Sequence, residues 1–146
     1  MFDLRASTYA TPVVLAFTPD YFIPAATLLC SILKHNDPAE QFEVICLLSE
    51  ALPDDMRQEL ELVAGARMQF RYININPEGE LKGIYIDPKY TVAASFRLLL
   101  PELLPGYDKI IYIDCDMVIR NDLATLFRET DLGDNYLAGV FEATLD

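Results

Sequence analysis

The run Val13-Val14-Leu15-Ala16-Phe17 is apolar at every position. A strand with one wet face alternates apolar and polar residues. An unbroken run closed by turn residues, here Thr18-Pro19-Asp20, fits a strand buried on both faces. Such a strand needs a layer on each side. The segment Phe22 to Asn36 offers one, because Ala25, Leu28, Leu29, Ile32 and Leu33 recur at helical spacing, Pro24 sits in a tolerant first turn and Asn36 is a plausible stop.

The alternation then repeats. Phe42 to Leu48 reads as a second apolar strand. Pro53-Asp54-Asp55 opens a helix with an acidic first turn that runs from Met56 to Ala64 and stops at Gly65. Met68 to Ile73 alternates as a third strand. Asn74 to Pro88, with Gly79, Gly83 and two prolines, reads as a mobile loop. Thr91 is placed to cap a helix through Leu104, kinked or shortened by Pro101, and Gly106-Tyr107-Asp108 turns the chain into a fourth strand, Lys109 to Ile113. Strands alternating with helices predict one α/β, Rossmann-like domain over residues 1–146, with a mostly parallel sheet and helices on both faces. Ligands of such sheets bind beyond the carboxyl ends of the strands, where the loops after Phe17 and Ile113 both lie.

Composition narrows the function. A net charge of −12 disfavours nucleic acid and anionic membrane as partners. The apolar runs fall far short of the ~18 residues of a membrane span, and the first twelve residues lack the apolar core of a secretory signal, so a cytoplasmic location is expected. Cys30, Cys46 and Cys115 are odd in number and form no C-x-x-C pair, which fits reduced thiols better than a disulfide framework or structural zinc. A chain this acidic holds a diphosphate most easily through a divalent cation shared between carboxylates and phosphate oxygens.

The fourth strand ends in Asp114-Cys115-Asp116. With 13 aspartates in 146 residues, about one D-x-D match arises by chance, so the motif needs its context. On an extended chain the two carboxylates share a face and stand about 6.6 Å apart along the strand, with Cys115 on the other face. Hard oxygen ligands of that kind suit magnesium or manganese. Two like charges ending the greasy run Ile110-Ile111-Tyr112-Ile113 repel each other, which favours a bound cation over a solvated turn. His35, at a helix end, is expected to meet the last carbonyls, and Asp122 to cap the helix that starts at Leu123.

The stretch from Ser95-Phe96-Arg97-Leu98-Leu99-Leu100-Pro101-Glu102-Leu103-Leu104-Pro105 through Tyr107-Asp108-Lys109-Ile110-Ile111-Tyr112-Ile113-Asp114-Cys115-Asp116 to Asn121-Asp122-Leu123 and Leu126-Phe127 resembles the family 8 glycosyltransferases, which include bacterial lipopolysaccharide galactosyltransferases and glycogenin. The resemblance runs from Val13 to about Glu142. It implies a GT-A fold, a nucleotide-sugar donor that is usually UDP-linked, a saccharide acceptor, Mn²⁺ or Mg²⁺, and transfer with retention of configuration. By position it makes Asp114 and Asp116 metal ligands, sets Cys115 against the nucleotide and puts Arg97 near the diphosphate, where a guanidinium neutralises phosphate or steadies an aspartate. The loop Ala16, Phe17, Thr18, Asp20, Tyr21 matches the base and ribose site. It departs from the common pattern, which has an acid in place of Thr18 and an asparagine or small residue in place of Asp20. Tyr90 aligns with an apolar residue near the base, and Glu142 with an acid on the acceptor side, the one catalytic candidate.

Relatives continue with a histidine that supplies a further metal ligand, so the resemblance makes this chain the N-terminal, donor-binding part of a truncated catalytic domain. It leaves peripheral membrane association to a C-terminal region beyond residue 146. Two other readings stand beside transfer. One is a nucleotide-binding fragment without turnover. The other is a haloacid-dehalogenase-type phosphatase, which the D-x-D allows but Met117-Val118, in place of the usual glycine and threonine, disfavour.

Overall fold

The computed structural model describes residues 10–87, 89 and 91–139. Four strands, β1 (Thr11–Phe17), β2 (Phe42–Leu48), β3 (Met68–Asn74) and β4 (Ile111–Tyr112), form one sheet in the order β3-β2-β1-β4. Every pairing is parallel. β1 is therefore interior, and all seven of its residues are buried.

The pleat of β1 divides it between two cores. Val13, Leu15 and Phe17 face a cluster containing Ala25, Leu28, Leu29 and Ile32 of helix α1 (Phe22–His35), Leu60 and Ala64 of α2 (Asp54–Ala64), and Leu123 and Ala124 of α5 (Leu123–Glu129). Val14 and Ala16 face the other side, against Ala93, Phe96, Leu99 and Leu104. β2 splits in the same way, with Val44, Cys46 and Leu48 on the first face and Ile45 and Leu47 on the second. The unbroken apolar runs thus have the cause expected of them, a sheet covered on both sides.

The helix ends follow the capping residues. Gly65 closes α2 with φ of 57°, a left-handed conformation that only glycine adopts without strain. Asn36 stops α1, its Nδ2 donating to the Ile32 carbonyl at 2.8 Å. The same helix end is closed from outside by Arg67, which donates from Nη1 to Leu33 O at 2.8 Å, from Nη2 to Asp37 O at 2.6 Å and from Nε to Glu40 O at 3.3 Å. His35 Nδ1 lies 3.0 Å from Ser31 O, four residues back and one short of the last carbonyls expected as its partners. Asp122 caps α5, accepting from Thr125 N at 2.8 Å, which holds its carboxyl below the usual range.

Three expectations change. The helix after Thr91 is a 3-10 segment, Val92–Leu99, followed by one α turn, α4 (Leu100–Leu103). Thr91 makes no side-chain cap bond. A continuous α-helix would drive the Pro101 ring into the Arg97 carbonyl. Three residues per turn instead put Ala93, Phe96 and Leu99 on one buried line. The Asn74 to Pro88 stretch is not all loop, since it holds the short helix α3 (Pro77–Glu80) and buries Ile75 and Leu81 in the second core. β4 is two residues long rather than five. Lys109 turns away from the ladder, and its Nζ donates to Phe127 O at 2.5 Å and Thr130 O at 2.8 Å at the end of α5, where carbonyls favour a cation.

Candidate functional site

Because β1 and β4 run parallel and side by side, with Val14 opposite Tyr112, the loops that follow them leave the same sheet edge. Ile113 N donates to Val14 O at 3.0 Å, one ladder bond beyond β4. The chain then turns, with Met117 N donating to Asp114 O at 3.2 Å. Asp114 and Asp116 therefore lie on a hydrogen-bonded turn and not on the extended chain that the alternation argument assumed. Burial still alternates along the turn. Ile113 and Cys115 are buried in the first core, while Asp114 and Asp116 are exposed.

Arg97, on the 3-10 segment of the opposite layer, reaches this turn. Its Nη2 donates to Asp114 Oδ1 at 3.1 Å, its Nε donates to Ala94 O at 2.7 Å, and its guanidinium carbon lies 5.0 Å from the centre of the Tyr112 ring. One cation is thus steadied by a carbonyl, an aromatic face and a carboxylate. Burial pushes the Tyr112 phenol up to about 12; the Arg97 charge works against that rise and the Asp114 carboxylate adds to it.

Asp116 takes no part in the Arg97 contact. With Met117 and Val118 it lines an open cavity of about 260 Å³ whose remaining walls are Ile23, Pro24 and Thr27, from the first half of α1. That helix starts directly after the β1 loop. The D-x-D turn therefore stands between Arg97 on one flank and the β1–α1 connection on the other.

The donor set suits a hard divalent cation. Two exposed carboxylates offer oxygens, and the neighbouring thiol does not compete, because burial, with the charge of Asp116 next, raises the Cys115 thiol and keeps it protonated. Among the described residues no group of three or more His, Cys, Asp or Glu converges on one point. The two aspartates could hold only part of a cation's ligand shell.

The β1 loop divides by depth. Ala16 and Phe17 are core side chains, so they could offer a ligand only their backbone. Thr18 is half-buried, and Asp20 and Tyr21 are exposed, Tyr21 to 41%, with its ring available for stacking. Tyr90 and Glu142 lie outside the described residues. Sequence reasoning missed Tyr112 and the α1 side of the cavity. Strand alternation would have found the first, two residues before Asp114, but nothing in the sequence links Ile23, Pro24 and Thr27 to Asp116.

The model for Glycosyl transferase family 8 matches residues 12–145. Glycosyltransferase GlyF of Streptococcus pneumoniae serotype 4 (strain ATCC BAA-334 / TIGR4) is 29% identical over 125 residues, covering 82% of this chain and 29% of GlyF. The human Glycosyltransferase 8 domain-containing protein 1 is 28% identical over 120 residues, covering 80% of this chain and 32% of that protein. The chain thus spans about a third or less of these relatives. Among solved structures, the galactosyltransferase LgtC in complex with donor and acceptor sugar analogues superposes with a TM-score of 0.67 at 24% identity, over 86% of this chain and 45% of LgtC. The apo WbbM bifunctional glycosyltransferase gives 0.70 at 24% identity, over 88% of this chain and 22% of WbbM. These likenesses show the GT-A fold, a parallel sheet packed between helices.

Proposed function

The chain belongs to glycosyl transferase family 8, and from that premise we propose that it forms the donor-binding part of an enzyme that transfers a sugar, with retention, from a UDP-linked donor to a saccharide acceptor. Membership of the family displaces the phosphatase reading of the same motif. The observation that supports the proposal best is the pairing of Arg97 with Asp114 at the sheet edge where Asp116 and the β1 loop also lie.

In this reading Asp114 and Asp116 hold Mn²⁺ or Mg²⁺. Such a cation, when bound, would supply charge compensation for a departing nucleoside diphosphate. Arg97 keeps Asp114 in place and presents the rest of its fork to a diphosphate oxygen. Tyr21, with Thr18 and Asp20, takes the base and ribose, and the backbone at Ala16, Phe17 and Cys115 forms the floor. The family resemblance would add Tyr90 to the base site and Glu142 to the acceptor side.

Calorimetry of UDP with Mn²⁺ present and absent tests the assignment. We expect saturable UDP binding that needs Mn²⁺ and weakens at least about tenfold in Asp114→Asn and in Asp116→Asn, since each removes a charged ligand. Equal affinity in parent and both variants overturns the metal site. A second reading, nucleotide binding without turnover, is favoured by the chain's coverage of only 29% of GlyF. Binding with no sugar transfer from UDP-hexoses selects it, and transfer by these 146 residues eliminates it.

A further inference from the structure

Among the described residues only Thr11, Ser31 and Asn36 are buried polar side chains, and two of these three reach from α1 to the chain beyond the D-x-D turn. Ser31 Oγ donates to Leu28 O at 2.7 Å and accepts from Ile119 N at 2.8 Å, across 88 residues of sequence. Asn36 Oδ1 accepts from Ala124 N at 2.9 Å. The two anchors lie five residues apart on α1 and meet points five residues apart on the partner segment, which therefore runs alongside the helix.

Asp116, Met117 and Val118 form an arch between two fixed ends. Before them Cys115 is buried in the first core, and after them Ile119 is tied to Ser31. The arch itself is exposed and faces the cavity lined by Ile23, Pro24 and Thr27. Its own side chains have little to hold them, so the position of the Asp116 carboxylate depends on the two ends. One end is packing, with the turn bond from Met117 N to Asp114 O beside it. The other joins the packing of Ile119 on the first core to the hydrogen bond from its amide to Ser31 Oγ.

We infer that Ser31 is a positioning residue for the cation site, fixing Asp116 through the Ile119 amide while Arg97 fixes Asp114 from the opposite layer. The inference rests on the metal-binding reading of Asp116 given above. With only two carboxylates of this chain to hold the cation, a shift of one of them weakens cation binding directly. Ser31→Ala is a clean probe, because alanine favours the helix and only the hydroxyl is lost.

Two measurements test it. In Ser31→Ala the Ile119 amide is expected to exchange with deuterium at least about tenfold faster, and Mn²⁺-dependent UDP affinity to fall about three- to tenfold, the effect of one hydrogen bond. Any residual UDP binding in EDTA is equal in Ser31→Ala and the parent. Asn36→Ala, which loses a comparable bond at the far end of the same segment, is expected to lower stability yet leave Mn²⁺-dependent binding within twofold of the parent. Unchanged Ile119 exchange, binding within twofold in Ser31→Ala, or an equal loss in Asn36→Ala each overturns the inference and leaves the functional reading standing. A parent that binds UDP no better with Mn²⁺ than without it overturns both.

Discussion

Arg97 shows how little a contact need stabilise a fold in order to matter. Its side chain is 45% exposed and that of Asp114 52%. Ion pairs in such settings contribute on the order of 0–1 kcal/mol. Arg97→Ala should therefore move the melting temperature by less than about 5 °C, while UDP affinity in the presence of Mn²⁺ falls about tenfold or more, as follows from losing a charge-assisted fork. Arg97→Lys should fall between, since a point charge keeps attraction but not the fork. Melting and calorimetry on the same samples check this. A second residue-scale cluster lies away from the site, where Tyr107 OH donates to Glu43 Oε1 at 2.6 Å and accepts from Arg71 Nη1 at 3.2 Å. Burial, then the bond to Glu43, pushes the Tyr107 phenol up to about 12. The folded protein thus holds this proton more tightly than the unfolded chain, whose tyrosines titrate near ~10. Its contribution is complete below about pH 10 and is lost as pH rises toward 12. Urea midpoints should fall across that window, and fall less steeply in Tyr107→Phe. Arg97 and the aspartates were singled out through the family resemblance, whose motifs there fall within 20 residues. The Tyr107 cluster was not, because Glu43 and Tyr107 are 64 residues apart.

At the scale of elements, the ends of α1 explain why helix and strand boundaries were readable and their ties were not. Pro24 and Asn36 mark the helix locally, whereas the arginine that closes it arrives from beyond α2. Arg67→Ala should cost about 2–3 kcal/mol, because several charge-assisted bonds to half-buried carbonyls are lost together. Denaturant unfolding with an unchanged slope measures it, and a loss below about 0.5 kcal/mol would show those carbonyls to be solvated as well as before. The segment after Thr91 was misread for a different reason. Over two turns, buried residues at Ala93, Phe96 and Leu99 satisfy periods of both 3.0 and 3.6, and only Pro101 hints at the tighter one. β4 was drawn too long because apolar residues at Ile110 and Ile113 look like strand wherever hydrogen bonding actually stops. Asp122 was placed correctly, since an N-cap is decided by its own next three residues.

For the whole molecule, the sheet order follows from few choices. The two strands that carry the apolar runs Val13 to Phe17 and Val44 to Leu48 are interior, and the general preference for right-handed crossovers limits where the others go. The site is less determined, being assembled from both layers: Arg97 comes from one side of the sheet and α1 from the other. The burial pattern also gives the protein a chemical address system. Cys30 is exposed on α1, while Cys46 and Cys115 are buried, and burial raises the thiols of both. A maleimide should consume one thiol per molecule within minutes at neutral pH and the other two only as the structure opens. Thiol counting by mass spectrometry checks this, and two fast thiols in the native protein would contradict it. Cys30 is thus a ready-made attachment point for a dye on the helix that walls the cavity, placed without mutating the protein. Cys115 lies between the two aspartates. The rate at which it becomes alkylated times the opening of that turn, and a bound donor should slow that clock while leaving the label on Cys30 undisturbed.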